Sequence, residues 1–171
     1  MILHRFLANT RATASVEFAL LVPLLIILLF GGTEAGHFVW TQHKLAEAVR
    51  DGARYASRLK VNGDGGVCDG ATSTISQSDE DAVKLITRTG QLDDAAARPV
   101  VPGWTDAQVN VEVFCESFVD TGIYNDLNAA GPIVRVSATD VTYPSMFNGL
   151  GGRLPRSVRL NARSNAAVIG L

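Results

Sequence analysis

Hydrophobic positions are distributed very unevenly along this chain. From Phe18 to Phe30 every residue is apolar, Pro23 included, and beyond the Gly31-Gly32 pair the apolar character resumes patchily at Ala35, Phe38, Val39 and Trp40. A bilayer core of about 30 Å takes about 20 helical residues, so residues 13–40 are predicted to form a membrane-spanning helix. Over residues 41–60 the pattern becomes two-sided. Phe38, Leu45, Val49, Gly52, Ala56 and Leu59 keep a three- and four-residue spacing, opposite Lys44, Glu47, Arg50, Asp51, Arg54 and Arg58, which predicts an amphipathic helix leaving the membrane. Pro23 and the glycine pair are expected to interrupt the helix locally.

The remainder, residues 61–171, reads as a separate head. Gly, Asp, Asn, Ser and Thr dominate residues 61–77 and predict a loop. A short second helix is predicted from Ser78, with Asp79, Glu80 and Asp81 in its first turn, where acids suit the helix dipole. Ala82, Val83, Leu85 and Ile86 supply its buried side, and Gly90 is placed to end it. Residues 91–106, with Pro99, Pro102 and Gly103, are expected to be irregular. Alternation then marks three strands: Val109, Val111, Val113 and Cys115, running to about Phe118; residues 133–143, with Val134, Val136 and Ala138 on one face; and Val158, Leu160 and Ala162. In the second strand the phase shifts to Val141 and Tyr143, which predicts a bulge near Thr139. The fold class is α+β: a long N-terminal helix, a short second helix and a small antiparallel sheet of about three strands.

Charge and candidate chemistry narrow the function. A formal net charge of −2 offers no basic surplus for a nucleic-acid backbone. The three histidines, His4, His37 and His43, all precede the head, so no triad assembles there, and phosphate-binding or HExxH motifs are absent. No catalysis and no cofactor is expected. Glu34 and His37, three apart, are expected to pair with each other rather than hold a metal. Residues 1–12 carry His4, Arg5 and Arg11 but no acid, which keeps that end cytoplasmic by the positive-inside rule. The head then lies outside, where Cys68 and Cys115 are either a candidate disulfide or two separate buried thiols. Glu17, at the lip of the apolar run, needs a partner or a shallow position, because an ionised carboxylate at full depth costs roughly 2.5–3.5 kcal/mol.

The run Ala12-Thr13-Ala14-Ser15-Val16-Glu17-Phe18 followed by ALLVPLLIILLF resembles the N-terminal signal of type IV pilin-like proteins, and more closely that of TadE-like pseudopilins, minor pilins of the tight-adherence or Flp pilus system. The stretch VRDGARYASR and the Tyr143-Pro144 pair after a strand are similar to the same family. The resemblance implies a pilin-like head and an inner-membrane location. It also implies prepilin-peptidase cleavage between Ala12 and Thr13, with Glu17 as the fifth mature residue, followed by Phe18. Ala12 stands where prepilins usually have Gly, and Phe18 where the major pilins usually have Tyr. Implied partners are the lipid bilayer, other pilin subunits, the prepilin peptidase, an assembly platform and its ATPase. In such a setting Glu17 would pair with the terminal amine of a neighbouring subunit and set the stagger of packed helices; the plainer reading is a carboxylate reaching the headgroups. Two other functions fit the residues: an unprocessed single-pass accessory protein that scaffolds assembly, and an exported binding protein or hydrolase released by signal cleavage near Thr33-Glu34-Ala35.

Overall fold

A computed structural model describes residues 13–60, 72–73, 75–92, 97–118, 131–147 and 158–169. Helix α1 runs unbroken over Thr13–Ala56, 44 residues with Pro23 inside. The expected interruption at Pro23 and Gly31-Gly32 is therefore absent. A proline removes one backbone hydrogen bond, which a long helix absorbs when its neighbouring turns remain bonded.

The head is a sheet with two helical segments on one face. Strand β1 is a two-residue edge piece, Thr72–Ser73; helix α2 spans Gln77–Thr89; β2 covers Val109–Phe118, β3 Gly131–Thr142 and β4 Arg159–Ala167. The strands lie in the order β1-β2-β3-β4, all neighbours antiparallel. Three long strands among the described residues match the expectation. The edge strand falls in a stretch read as loop, because its pairing with Val113 and Phe114 has no local periodicity to announce it.

The C-terminal half of α1 packs over β3, β4 and α2, and α2 reaches β2. The stripe read from spacing is the one that is buried: Leu45, Val49 and Ala56 are fully covered, with Ala48 and Ala53 beside them. Opposite lie Val109, Val113, Cys115, Val134, Val136, Ala138, Val141 and Leu160. Val158, expected on the inner face, is half exposed, because it precedes β4 and only its carbonyl is used, accepting from the Tyr143 amide at 2.9 Å. Residues 97–105, irregular as expected, nevertheless deliver Val101 and Trp104 to the core. A short 3-10 turn, Asp106–Gln108, is tied to α2 by the Arg88–Asp106 ion pair at 2.6 Å.

Helix α2 starts one residue earlier than the acid cluster suggested. Ser76 is its N-cap, its hydroxyl accepting from the Asp79 amide at 3.2 Å, and Gly90 closes it in the left-handed conformation at φ 74°. Its buried residues are Val83, Thr87 and, at its end, Thr89; Ala82, Leu85 and Ile86 are only partly covered. Thr87 is a polar residue that the apolar pattern passed over. It is tolerated because its hydroxyl donates to the Val83 carbonyl at 2.6 Å and because Gly52 of α1 leaves room for it.

The bulge lies where the phase shift placed it. Ala138 pairs with Ala162 and Val141 with Leu160, so β3 spends one more residue than β4. Asp140 absorbs the excess at φ 56°, a conformation that Asp tolerates better than most residues. Its amide bonds to the Asn161 side chain, and its carbonyl accepts from both Gln108 and Arg159. The consequence is that Val141 and Tyr143 return to the inner face, and Tyr143 arrives against α1.

Candidate membrane anchor and its junction with the head

The first half of α1 is a bare apolar rod. Its most apolar 18-residue window has a mean hydropathy of 2.4 and none of it is buried, with Phe18, Leu20, Leu24, Ile27 and Leu29 all exposed. An isolated apolar helix facing water is strongly unfavourable, at about 25 cal/mol for each Å² exposed. This surface is built for lipid or for other helices. Glu17 stands on the same exposed surface and has no side-chain partner among the described residues. Thr33, farther along, satisfies its hydroxyl internally by donating to the Leu29 carbonyl at 2.8 Å.

The head meets α1 at the far end of this rod, through the turn that follows β3. The Tyr143 hydroxyl donates to the Glu34 backbone carbonyl at 3.2 Å and lies 2.8 Å from Nδ1 of His37. With that proton committed, the Tyr143 oxygen accepts from the Nδ1–H tautomer of His37. The Glu34 carboxylate accepts from the Met146 amide at 3.3 Å. Rings close the contact: Phe38 meets Tyr143 edge-on at 5.3 Å, and Phe30 meets Phe147 in the same way at 5.1 Å. Burial first, then the hydrogen bond and negative charge of Glu34, push the Tyr143 phenol up to about 12. The neutral, bonded phenol is thereby favoured across the physiological range.

This junction corrects one expectation. Glu34 and His37 share a face of α1 as foreseen, but they turn to Tyr143 and Met146 rather than to each other. Chain order concealed the arrangement, since the partners lie more than 100 positions apart. The available signals were the Tyr143-Pro144 pair at a strand end and the two polar residues at the margin of an apolar run. One turn further on, Lys44 Nζ sits 4.0 Å over the exposed Trp40 ring.

Among the described residues, none of the other sequence-predicted positions takes part in this junction. Thr13 opens the described part of α1, and Ala12 lies outside the described residues. Glu17 and Phe18 are one turn beyond Thr13 on the bare rod, far from the head. Cys115 is buried on the inner face of β2 with no free thiol. Cys68 lies outside the described residues.

Compared with known proteins, residues 12–54 match the family model described as TadE-like protein. The match covers almost the whole of α1, from the candidate cleavage position to the last turns against the head, and leaves the sheet unmatched. No curated protein and no solved structure matches the chain.

Proposed function

We propose that this chain, whose long helix carries a TadE-like sequence, is a pseudopilin of a Flp-type pilus. It is anchored in the inner membrane by α1, with the amino end cytoplasmic and the head outside. The observation that carries the proposal is Glu17: a carboxylate on a bare apolar helix, with no side-chain partner among the described residues. In hydrocarbon an unpaired charge is costly, and a matched pair is the natural remedy. Cleavage between Ala12 and Thr13 would create a free amine four residues away, in reach of the Glu17 of an adjoining subunit. The role is structural, not catalytic. Its partners are the bilayer, sibling pilin subunits, the prepilin peptidase, and the assembly platform with its ATPase.

Ala12, in place of the usual Gly, favours a second reading, in which the leader is retained and the protein scaffolds assembly without entering the fibre. Release by signal cleavage near Thr33-Glu34-Ala35 is supported less well. Helix α1 continues through that point, and a cut there would discard the Phe30 and Glu34 contacts with the head. In the head, Cys68 and Cys115 are proposed as a disulfide. Cys68 is four positions before Thr72, which pairs with Phe114 next to Cys115, so the intervening chain tethers Cys68 within at most about 14 Å of Thr72.

Mass spectrometry of the protein from membranes with and without the peptidase tests processing: a mature mass beginning at Thr13 is expected only with it. An amino terminus at Met1 in both would reject the processed form. Glu17→Ala is expected to abolish fibre incorporation while leaving the head folded, and normal fibre yield from that variant would remove the basis of the proposal.

A further inference from the structure

The turn after β3, residues 143–147, lies at a level of α1 that belongs to the membrane. Phe147 packs on Phe30, and Phe30 is only 13 positions beyond Glu17, about 20 Å along the axis at 1.5 Å per residue. Even measured from Thr13 the helix reaches only about 25 Å by Phe30. A hydrocarbon core of about 30 Å cannot be filled by α1 unless it extends past Phe30, and any tilt makes the shortfall larger. The turn therefore cannot stand clear of the outer leaflet.

Its chemistry suits that position. Residues 143–147 read Tyr-Pro-Ser-Met-Phe and carry no charge, while Met146 is 56 % exposed. Each backbone N–H in the turn already has an acceptor within the chain. The Tyr143 amide donates to the Val158 carbonyl, Ser145 to the Tyr143 carbonyl, Met146 to the Glu34 carboxylate and Phe147 to the Ser145 hydroxyl; Pro144 has none to satisfy. Donors satisfied internally are what a segment needs where water is scarce. Above it, the exposed Trp40 with Lys44 over its ring is the pairing of amphipathic side chains that favours the headgroup level.

We infer that Met146 and Phe147 form a second membrane contact, inserted among the outer-leaflet lipids beside α1, so that the head rests on the bilayer in one orientation instead of swinging from a single helix. The inference relies on α1 spanning the membrane as proposed above, and what Met146 and Phe147 meet is lipid. It is tested on the full chain in vesicles of phosphatidylethanolamine and phosphatidylglycerol, with a photoreactive benzoylphenylalanine placed at Met146, at Leu25 as the spanning control, or at the exposed Arg163 as the aqueous control. Lipid adducts at 146 comparable to those at 25, and roughly ten-fold above those at 163, are expected of a residue seated at the acyl boundary. If 25 labels lipid and 146 does no better than 163, the inference is wrong while the span stands; if neither 25 nor 146 labels lipid, the spanning reading falls as well. Adducts from 146 to a second protein chain would also overturn it. Because the bulky probe could disturb the turn, Met146→Trp in a Trp40→Phe background gives an independent reading. Acyl-brominated lipids are expected to quench its emission well beyond that of the Trp40→Phe parent, whose remaining Trp104 is buried, and equal quenching in the two would refute insertion.

Discussion

Replacing Gly52 by Ala probes the contact that holds α2 on α1. A Cβ built on Gly52 would lie 1.9 Å from Oγ1 of Thr87 and 3.0 Å from its Cβ, where ordinary contact begins near 3.4 Å. The helices would have to part by about 1.5 Å, the difference between 3.4 and 1.9. Thr87 cannot swing aside cheaply. It is fully buried, β-branched and bonded to the Val83 carbonyl, which restricts it to few rotamers. Overpacking of this kind costs about 1–3 kcal/mol, and the better helix propensity of Ala returns about 1 kcal/mol at most. A clash at 1.9 Å places the cost at the upper end of that range, about 2–3 kcal/mol, so a net loss of about 1–2 kcal/mol should lower the thermal midpoint by roughly 2–8 °C for a chain of this size. Far-UV circular dichroism of the full chain in detergent measures it. Thr87→Ala removes the two side-chain atoms beyond Cβ, so the double variant should be more stable than the sum of the single losses, with a coupling of about 1 kcal/mol or more. A Gly52→Ala variant as stable as the parent, or strict additivity in the double variant, would refute the close helix approach.

Tyr143 ties the turn to α1 as a neutral phenol with its pKa raised to about 12. The stabilisation from this group is complete below the ordinary tyrosine value of about 10 and is lost as pH rises through the folded value. Absorbance at 295 nm should show a phenol titrating well above the ordinary tyrosine value that disappears in Tyr143→Phe; an absorbance titration identical in the parent and the variant, apart from the lost amplitude of one ordinary tyrosine, would refute the junction. If Cys68 and Cys115 are bridged, the closed loop spans roughly 47 residues, and reduction should lower head stability by about 4 kcal/mol. An unchanged chain mass after alkylation without reductant, followed by two added labels after reduction, checks the pairing; two labels without reductant would exclude it.

How much of the molecule could be read in advance follows from how local each cause is. Helix α1, its buried stripe from Leu45 to Ala56 and the alternation of β2 each depend on neighbours within a few positions. The bulge too was foreseeable, because the change of phase from Ala138 to Val141 is written in the order of residues. Thr87 in the core was not, since a buried hydroxyl makes sense only once Gly52 of another helix is seen to face it. The same holds for Glu34 and His37, whose partners come from a turn more than 100 positions away.

By itself the order of residues determined that a long apolar helix precedes an α+β head, and that an acid stands at the lip of the apolar run. Both are consequences of periodicity and of the cost of charge in hydrocarbon, which need no distant contact. Only the tertiary structure decided where the head grips that helix. The bulge at Asp140 swings Tyr143 inward, and the turn behind it meets α1 at Phe30, Glu34 and His37. That long-range closure depends on the summed geometry of three strands, and it fixes where along α1 the turn is held.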